Sequence, residues 1–353
     1  MTNLKKLGLT ALAGSLVAAS AHAGEISVTG SANVVYKTKG DATGKGIGTD
    51  KDVAFTGSGE LDNGFTFTVS TLLTDAMTVS SSYTSITMGS LGTVSFGTDT
   101  GGAGYKYDEE VPQAYEQTSD AQQNSANIVG NQVDSNMISY TTPSFDLGGA
   151  SVTLDLEYSP QASGNGANDG GTATNSDEYG SGMGAGITVA YDALKVGVYG
   201  EEIENTMPKA ADGDANSDAF GGVWYAKYSM GPVSIGYSES YLDQGRNGAA
   251  EATTAAKVVR TAAGIFESDS ISIAFNVNDD LSVSYTETTD TYNAQDNASA
   301  AVANVDMKTE AIQLAYSMGG MSIKAYNMDT DNPGYDSDAK GKSVTEVALG
   351  LSF

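Results

Sequence analysis

Apolar and polar residues alternate along most of the chain. Ile26, Val28, Ala32, Val34 and Tyr36 share one face of a segment, and Ser27, Thr29, Ser31, Asn33 and Lys37 share the other. Side chains two apart on a strand point the same way, so the pattern predicts a strand with one apolar and one polar face. It returns in Val53, Phe55 and Leu61 against Asp52, Thr56, Ser58 and Glu60, and in Ile271, Ile273 and Phe275 against Ser270 and Ser272. Taken forward, it predicts sixteen strands, at 25–37, 51–61, 65–74, 79–89, 93–98, 136–142, 150–159, 183–192, 194–203, 219–229, 232–241, 268–277, 281–290, 305–318, 321–330 and 343–353. Alternation is poor in 79–89 and 219–229, so the count carries a margin of two.

The connections alternate as well. Short ones such as Asp62-Asn63-Gly64, Asp192-Ala193 and Gly319-Gly320 are followed by long polar ones such as 161–182, 204–218 and 243–267. Asn-Gly supplies the backbone of a tight hairpin. Short turns on one rim and long loops on the other are the layout of a membrane-spanning β-barrel. A soluble sandwich also alternates, and periodicity alone does not separate lipid from a packed core. Tyrosine tips the balance: there are 19, and Tyr36, Tyr158, Tyr191, Tyr237, Tyr241 and Tyr316 stand toward strand ends, where an interfacial girdle needs half-buried rings.

One gap breaks the rhythm. Between the strands at 93–98 and 136–142 lies an insert, Asp99 to Asp134, far longer than the usual loop of about 4–6 residues. Its acids are Asp99, Asp108, Glu109, Glu110, Glu116, Asp120 and Asp134, and its one base is Lys106. Tyr105, Tyr107 and Tyr115 either line a path or pin the insert to a wall; pinning is the expectation.

Composition narrows the chemistry. Residues 1–23 read as a cleaved signal peptide, with Lys5 and Lys6, an apolar run from Leu7 to Ala19 and Ala21-His22-Ala23. The remainder, 24–353, reads as one domain. The formal charge is −27, deepened by loss of the two leader lysines, and arginine occurs only at Arg246 and Arg260. Such a surface repels nucleic acid and attracts cations. With no cysteine, and the only histidine in the leader, thiolate catalysis, histidine triads and His/Cys metal sites are excluded. No enzyme is expected and no cofactor. Weak calcium binding is a secondary expectation, at Asp108-Glu109-Glu110 or at Asp212-Gly213-Asp214-Ala215-Asn216-Ser217-Asp218, which imitates the opening of an EF-hand loop but lacks its later glycine and glutamate.

Three stretches carry a family resemblance. Leu91-Gly92-Thr93-Val94-Ser95-Phe96-Gly97 resembles the strand leading into the third extracellular loop of bacterial general porins. Asn136-Met137-Ile138-Ser139-Tyr140-Thr141-Thr142-Pro143-Ser144-Phe145 resembles their returning strand. Thr345, Val347, Leu349, Leu351 and final Phe353 resemble the C-terminal assembly signal. The chain is most similar to the sixteen-stranded alphaproteobacterial type.

The resemblance implies an all-β transmembrane antiparallel barrel with its long third loop folded into the lumen. It also implies a homotrimer in the bacterial outer membrane and passive diffusion of small hydrophilic solutes and ions. Outer-membrane lipid, lipopolysaccharide and the barrel-assembly machinery are the partners it brings. The constriction residues would be Asp99, Lys106, Asp108, Glu109, Glu110, Glu116, Asp120 and Asp134. The lumen wall would carry Lys37, Glu60, Asp155, Glu157, Lys195, Glu201, Lys324 and Glu346. Family members usually oppose the loop acids with several arginines and lysines on the nearby wall. The strands up to Pro143 contain no arginine, Lys37 and Lys51 sit near their loop ends, and Lys195 and Lys324 are scattered. Either the transverse field is weak or different residues make it, and a preference for cations is expected. A substrate-selective channel is the nearest alternative, and a secreted or surface β-protein the more distant one.

Overall fold

The computed structural model describes residues 24–38, 45–98, 102–108, 110–118, 133, 136–162, 179–205, 217–243, 245, 253–254, 257–258, 265–293 and 304–353. The expected signal peptide, 1–23, lies outside these described residues.

The strands in order are β1 (Ile26–Lys37), β2 (Gly46–Glu60), β3 (Thr66–Leu73), β4 (Val79–Thr87), β5 (Thr93–Thr98), β6 (Met137–Thr141) and β7 (Phe145–Leu147). There follow β8 (Ala150–Ser159), β9 (Tyr179–Tyr191), β10 (Leu194–Asn205), β11 (Ala219–Met230) and β12 (Val233–Asp243). A two-residue pair, β13 (Thr253–Thr254) and β14 (Lys257–Val258), stands apart. Then come β15 (Ile265–Asn276), β16 (Leu281–Asn293), β17 (Val305–Met318), β18 (Met321–Asp331) and β19 (Lys342–Ser352).

All but β13 and β14 form one antiparallel sheet, and β1 pairs with both β2 and β19, so the sheet closes. Pairs Ser31–Ser352 to Lys37–Glu346 make the seam. Phe353 extends it, exchanging two backbone hydrogen bonds with Gly30 at 2.9 and 3.0 Å. Its ring covers Gly30, where a Cβ would meet ring atoms.

β6 and β7 are two parts of one stave. Both pair with β8, and Thr142-Pro143-Ser144 separates them. Proline has no N–H for the ladder. Thr142 compensates with its N–H to the Leu154 carbonyl (2.9 Å) and its hydroxyl accepting the Leu154 N–H (2.9 Å). The barrel thus has sixteen staves.

The two faces differ in a way that identifies the solvent. On β15, Ser268, Ser270 and Ser272 are buried, while Ile271 is 56% and Ile273 48% exposed. The same inversion holds on β8, with Asp155 and Glu157 buried and Leu156 and Tyr158 exposed. A continuous apolar outer face of this kind is stable against lipid, and closure satisfies every backbone group there. Strands of 12 residues, such as β10 and β15, rise about 3.3 Å per residue and, tilted roughly 40°, span about 30 Å.

The polar face also holds apolar clusters. Leu242, Phe266, Tyr292, Val305, Met307 and Tyr335 pack together near the loop ends, with Phe266 and Tyr292 ring centroids 5.1 Å apart. Tyr107, Tyr199, Val223 and Tyr225 form another cluster beside the long insert.

Candidate functional site

The insert leaves β5 and returns at β6. Asp99, Glu109, Asp120 and Asp134 lie outside the described residues. Residues 102–108 and 110–118 contact polar-face side chains of strands from β6 to β19.

The first end docks on β8, β9 and β10. Gly104–Lys106 form a single 3-10 turn. Lys106 Nζ lies 2.5 Å from Asp155 Oδ1 and donates to Thr141 Oγ1 at 2.9 Å. Tyr107 donates its hydroxyl to Asp155 Oδ2 at 2.9 Å, and Thr141 donates to Oδ1 at 2.6 Å. The Ala103 N–H and the Tyr199 hydroxyl both donate to Glu157, and Tyr199 also reaches Glu201 Oε2 at 3.1 Å.

These rings fit because β9 is smooth there. Gly184 and Gly186 recur at the strand period, and a Cβ on either would collide with Tyr199 or Tyr107. Tyr107 and Tyr199 stack with centroids 5.2 Å apart. Burial pushes the Tyr107 hydroxyl well above its ordinary pKa, with the Asp155 charge adding to the rise and Thr188 opposing it. It stays a proton donor.

The second end crosses to the opposite staves. Glu110 pairs with Lys227 and lies 3.8 Å from Lys195; both ammonium groups sit 5.5 Å from the Tyr225 ring centroid. Ser272 donates to the Pro112 carbonyl, and the Ala114 N–H donates to Ser284 Oγ at 2.9 Å. Gln313 accepts from the Tyr115 and Glu116 N–H groups at 2.8 and 3.1 Å and donates to the Glu116 carbonyl at 2.6 Å. Tyr115 donates to Glu346 Oε1 at 2.7 Å; Tyr326 donates to Oε2 at 3.0 Å, where Lys37 also pairs at 2.6 Å. Thr118 and Thr288 share a hydrogen bond at 2.8 Å. Burial, reinforced by Glu346, raises the Tyr115 pKa as well.

The wall residues expected from sequence are thus gathered in three places. Asp155, Glu157 and Glu201 meet the first end, Lys195 meets Glu110, and Lys37, Glu346 and Lys324 surround Tyr115, with Lys324 5.0 Å from its ring. Glu60 is exposed at the end of β2 and apart from them. Asp108 is buried, Glu116 half-buried, and Tyr105 is the exposed tyrosine of the insert at 58%. Sequence reasoning missed Lys227, Gln313, Tyr199, Tyr225 and Tyr326. Only the Gly-x-Gly-x-Gly spacing of 182–186 signalled where bulky insert residues would dock.

The acidic runs proposed for calcium are placed in part. Ser217 and Asp218 are described from the run 212–218, and Glu110 is committed to the two lysines. Among the described residues no group of three or more His, Cys, Asp or Glu is arranged to hold a metal ion.

A closed antiparallel barrel with a polar inner face and an apolar outer face is the architecture of outer-membrane barrels. The family model of Gram-negative porins matches residues 8–353. The chain belongs to the Gram-negative porin family. No curated protein matches this porin by sequence.

Solved structures share its fold at low identity. OmpF of Salmonella typhi, in complex with daunomycin, is 15% identical with a TM-score of 0.68, covering 94% of this chain and 98% of that one. The trimer form of OmpT, an outer-membrane protein of Vibrio cholerae, is 13% identical with a TM-score of 0.62, covering 94% and 100%. An anion-selective porin from Comamonas acidovorans is 14% identical with a TM-score of 0.61, covering 93% and 98%. This porin is an outer-membrane channel protein.

Proposed function

We propose that the porin is a water-filled homotrimeric channel for passive diffusion of small hydrophilic solutes and ions, with a preference for cations, and that residues 99–134 narrow its lumen. The observation carrying the preference is the pairing of Glu110 with Lys195 and Lys227. Glu110 offsets one of these two wall charges, and Lys106 and Lys37 are each held by a wall carboxylate. What remains over the chain is a formal charge of −27, and carboxylates beside a wet path attract cations.

The trimer form of the Vibrio OmpT supports the assembly. Outer-membrane lipid and lipopolysaccharide would surround it, and the barrel-assembly machinery would read Phe353. Tyr107 and Tyr115 are committed to Asp155 and Glu346, which favours a general channel over an aromatic-lined selective one.

Swelling of liposomes carrying the purified porin tests this. Equal-sized cationic, neutral and anionic solutes should enter in that order of rate. Entry of none of them rejects the channel, and faster anion entry rejects the preference.

A further inference from the structure

Two hollows adjoin on the outward face of the barrel, away from the insert. One, of about 510 Å³, is apolar and lined by Tyr228, Ile235, Ile271, Ile273 and Tyr285. The other, of about 610 Å³, is lined by Trp224, Glu239, Tyr241, Glu267 and Asp269. They succeed one another along β11, β12 and β15. Passing from Tyr228 to Trp224, from Ile235 to Glu239 and from Ile271 to Asp269, each strand runs from the apolar hollow into the acidic, aromatic one, toward the long-loop rim. A long amphiphile lying along the barrel would meet hydrocarbon contacts with its chain and carboxylates and rings with its head.

The charge of the upper hollow is unbalanced. Glu239 and Asp269 face each other as register partners on β12 and β15. Like charges directly opposite across a sheet repel. Among the described residues neither carboxylate has an ion-pair partner. The next acidic pair, Glu287 and Glu310 on β16 and β17, shows the compensated arrangement: Lys308 sits between them at 3.0 and 3.1 Å. At Glu239 the neighbours are aromatic instead. Trp224 donates its indole N–H at 2.8 Å and Tyr237 its hydroxyl at 2.5 Å, with the two ring centroids 5.5 Å apart and tilted by 54°. Rings beside carboxylates are the chemistry that holds an ammonium group, by cation–aromatic attraction and by charge.

We propose that this outward groove is a docking site for a membrane amphiphile with an ammonium headgroup, its chain along Ile235, Ile271 and Ile273 and its cation between Trp224, Glu239 and Asp269.

Trp224 is the single tryptophan of the chain, so its fluorescence reads the site directly. Folded porin in a nonionic maltoside detergent would be titrated with chain-brominated alkyl amphiphiles that quench it, carrying a trimethylammonium, a maltoside or a sulfate head on the same chain. The trimethylammonium form should reach half-quenching at about two- to fivefold lower concentration than the maltoside form, the range of one exposed cation–aromatic contact. The sulfate form should be the weakest. E239Q/D269N should erase the order, whereas the charge-matched E287Q/E310Q should keep it. Should the first double variant not fold, D269N alone, which leaves the Trp224 and Tyr237 contacts intact, should weaken the order. Equal quenching by all three heads overturns the proposal. So does loss of the order in the charge-matched control, which would reduce it to general attraction. Strongest quenching by the sulfate form once magnesium is added also overturns it, in favour of divalent bridging to anionic lipid.

Discussion

The two ends of the described insert are held by different physics. Residues 102–107 are fixed by charged and phenolic groups on buried carboxylates, with rings pressed into a glycine-smoothed strand. Residues 113–118 are fixed mainly by neutral hydrogen bonds to Ser284, Gln313 and Thr288, with one phenol on Glu346. Hydrogen bonds to charged groups contribute about 1.5–3 kcal/mol and neutral ones about 0.5–1.5. The first end should therefore act as the rigid anchor, and the second as a set of smaller, individually replaceable contacts.

The sharpest way to break the comparison is Asp155→Asn. It keeps the shape but removes the charge that Lys106, Tyr107 and Thr141 share. A loss of about 1.5–3 kcal/mol is expected, which makes transient release of this end roughly ten- to a hundredfold more frequent. Limited proteolysis within residues 102–118 measures it, with heat-modifiable gel mobility confirming that the barrel stays closed. Cleavage no faster than in the parent protein would show that the first end is not held by Asp155.

Gly186→Leu attacks the same end through shape. Its side chain would occupy the space of the Tyr107 ring, and overpacking of this kind costs about 1–3 kcal/mol. Release should again accelerate, now with Asp155 intact, and noisier single-channel current should accompany it. Gln313→Leu tests the second end. It removes the side chain that meets the Tyr115 and Glu116 backbone, with an expected cost near 1 kcal/mol. Proteolysis should rise only about fivefold, because Glu346, Ser284 and Thr288 still hold the segment. An effect larger than that of Asp155→Asn would invert the comparison.

Much of the barrel was legible in the amino-acid order, because alternation at period two survives wherever lipid lies on one side and polar contacts on the other. Each of the sixteen predicted segments has its strand. Strand ends near the long loops were not legible. β2 starts at Gly46, earlier than its predicted start at 51, because Gly46 to Asp50 continue the β1 ladder despite residues that strands usually avoid. The tyrosines divide between the two faces of the barrel. Tyr158 and Tyr191 do face outward, but Tyr199, Tyr225 and Tyr326 turn inward beside glycines or carboxylates, and Tyr292 turns inward into an apolar cluster.

The site was legible on the insert and much less so on the wall. Lys106, Tyr107, Glu110 and Tyr115 announce themselves as charged or aromatic residues in one segment. Their partners Lys227 and Gln313 are 117 and 197–198 residues away in sequence. Only closure of the barrel brings them to the same place.

We propose that carboxylates offset most of the described bases of the insert and wall, Lys37, Lys106 and Lys227 among them, so that acids set the potential of the path. The reversal potential of the purified porin in a planar bilayer under a salt gradient tests it most directly. Stepwise conductance with a cation-selective reversal potential is expected, reduced toward neutrality in Glu110→Gln, which uncovers Lys195 and Lys227. A neutral or anion-selective potential in the unaltered porin would contradict it.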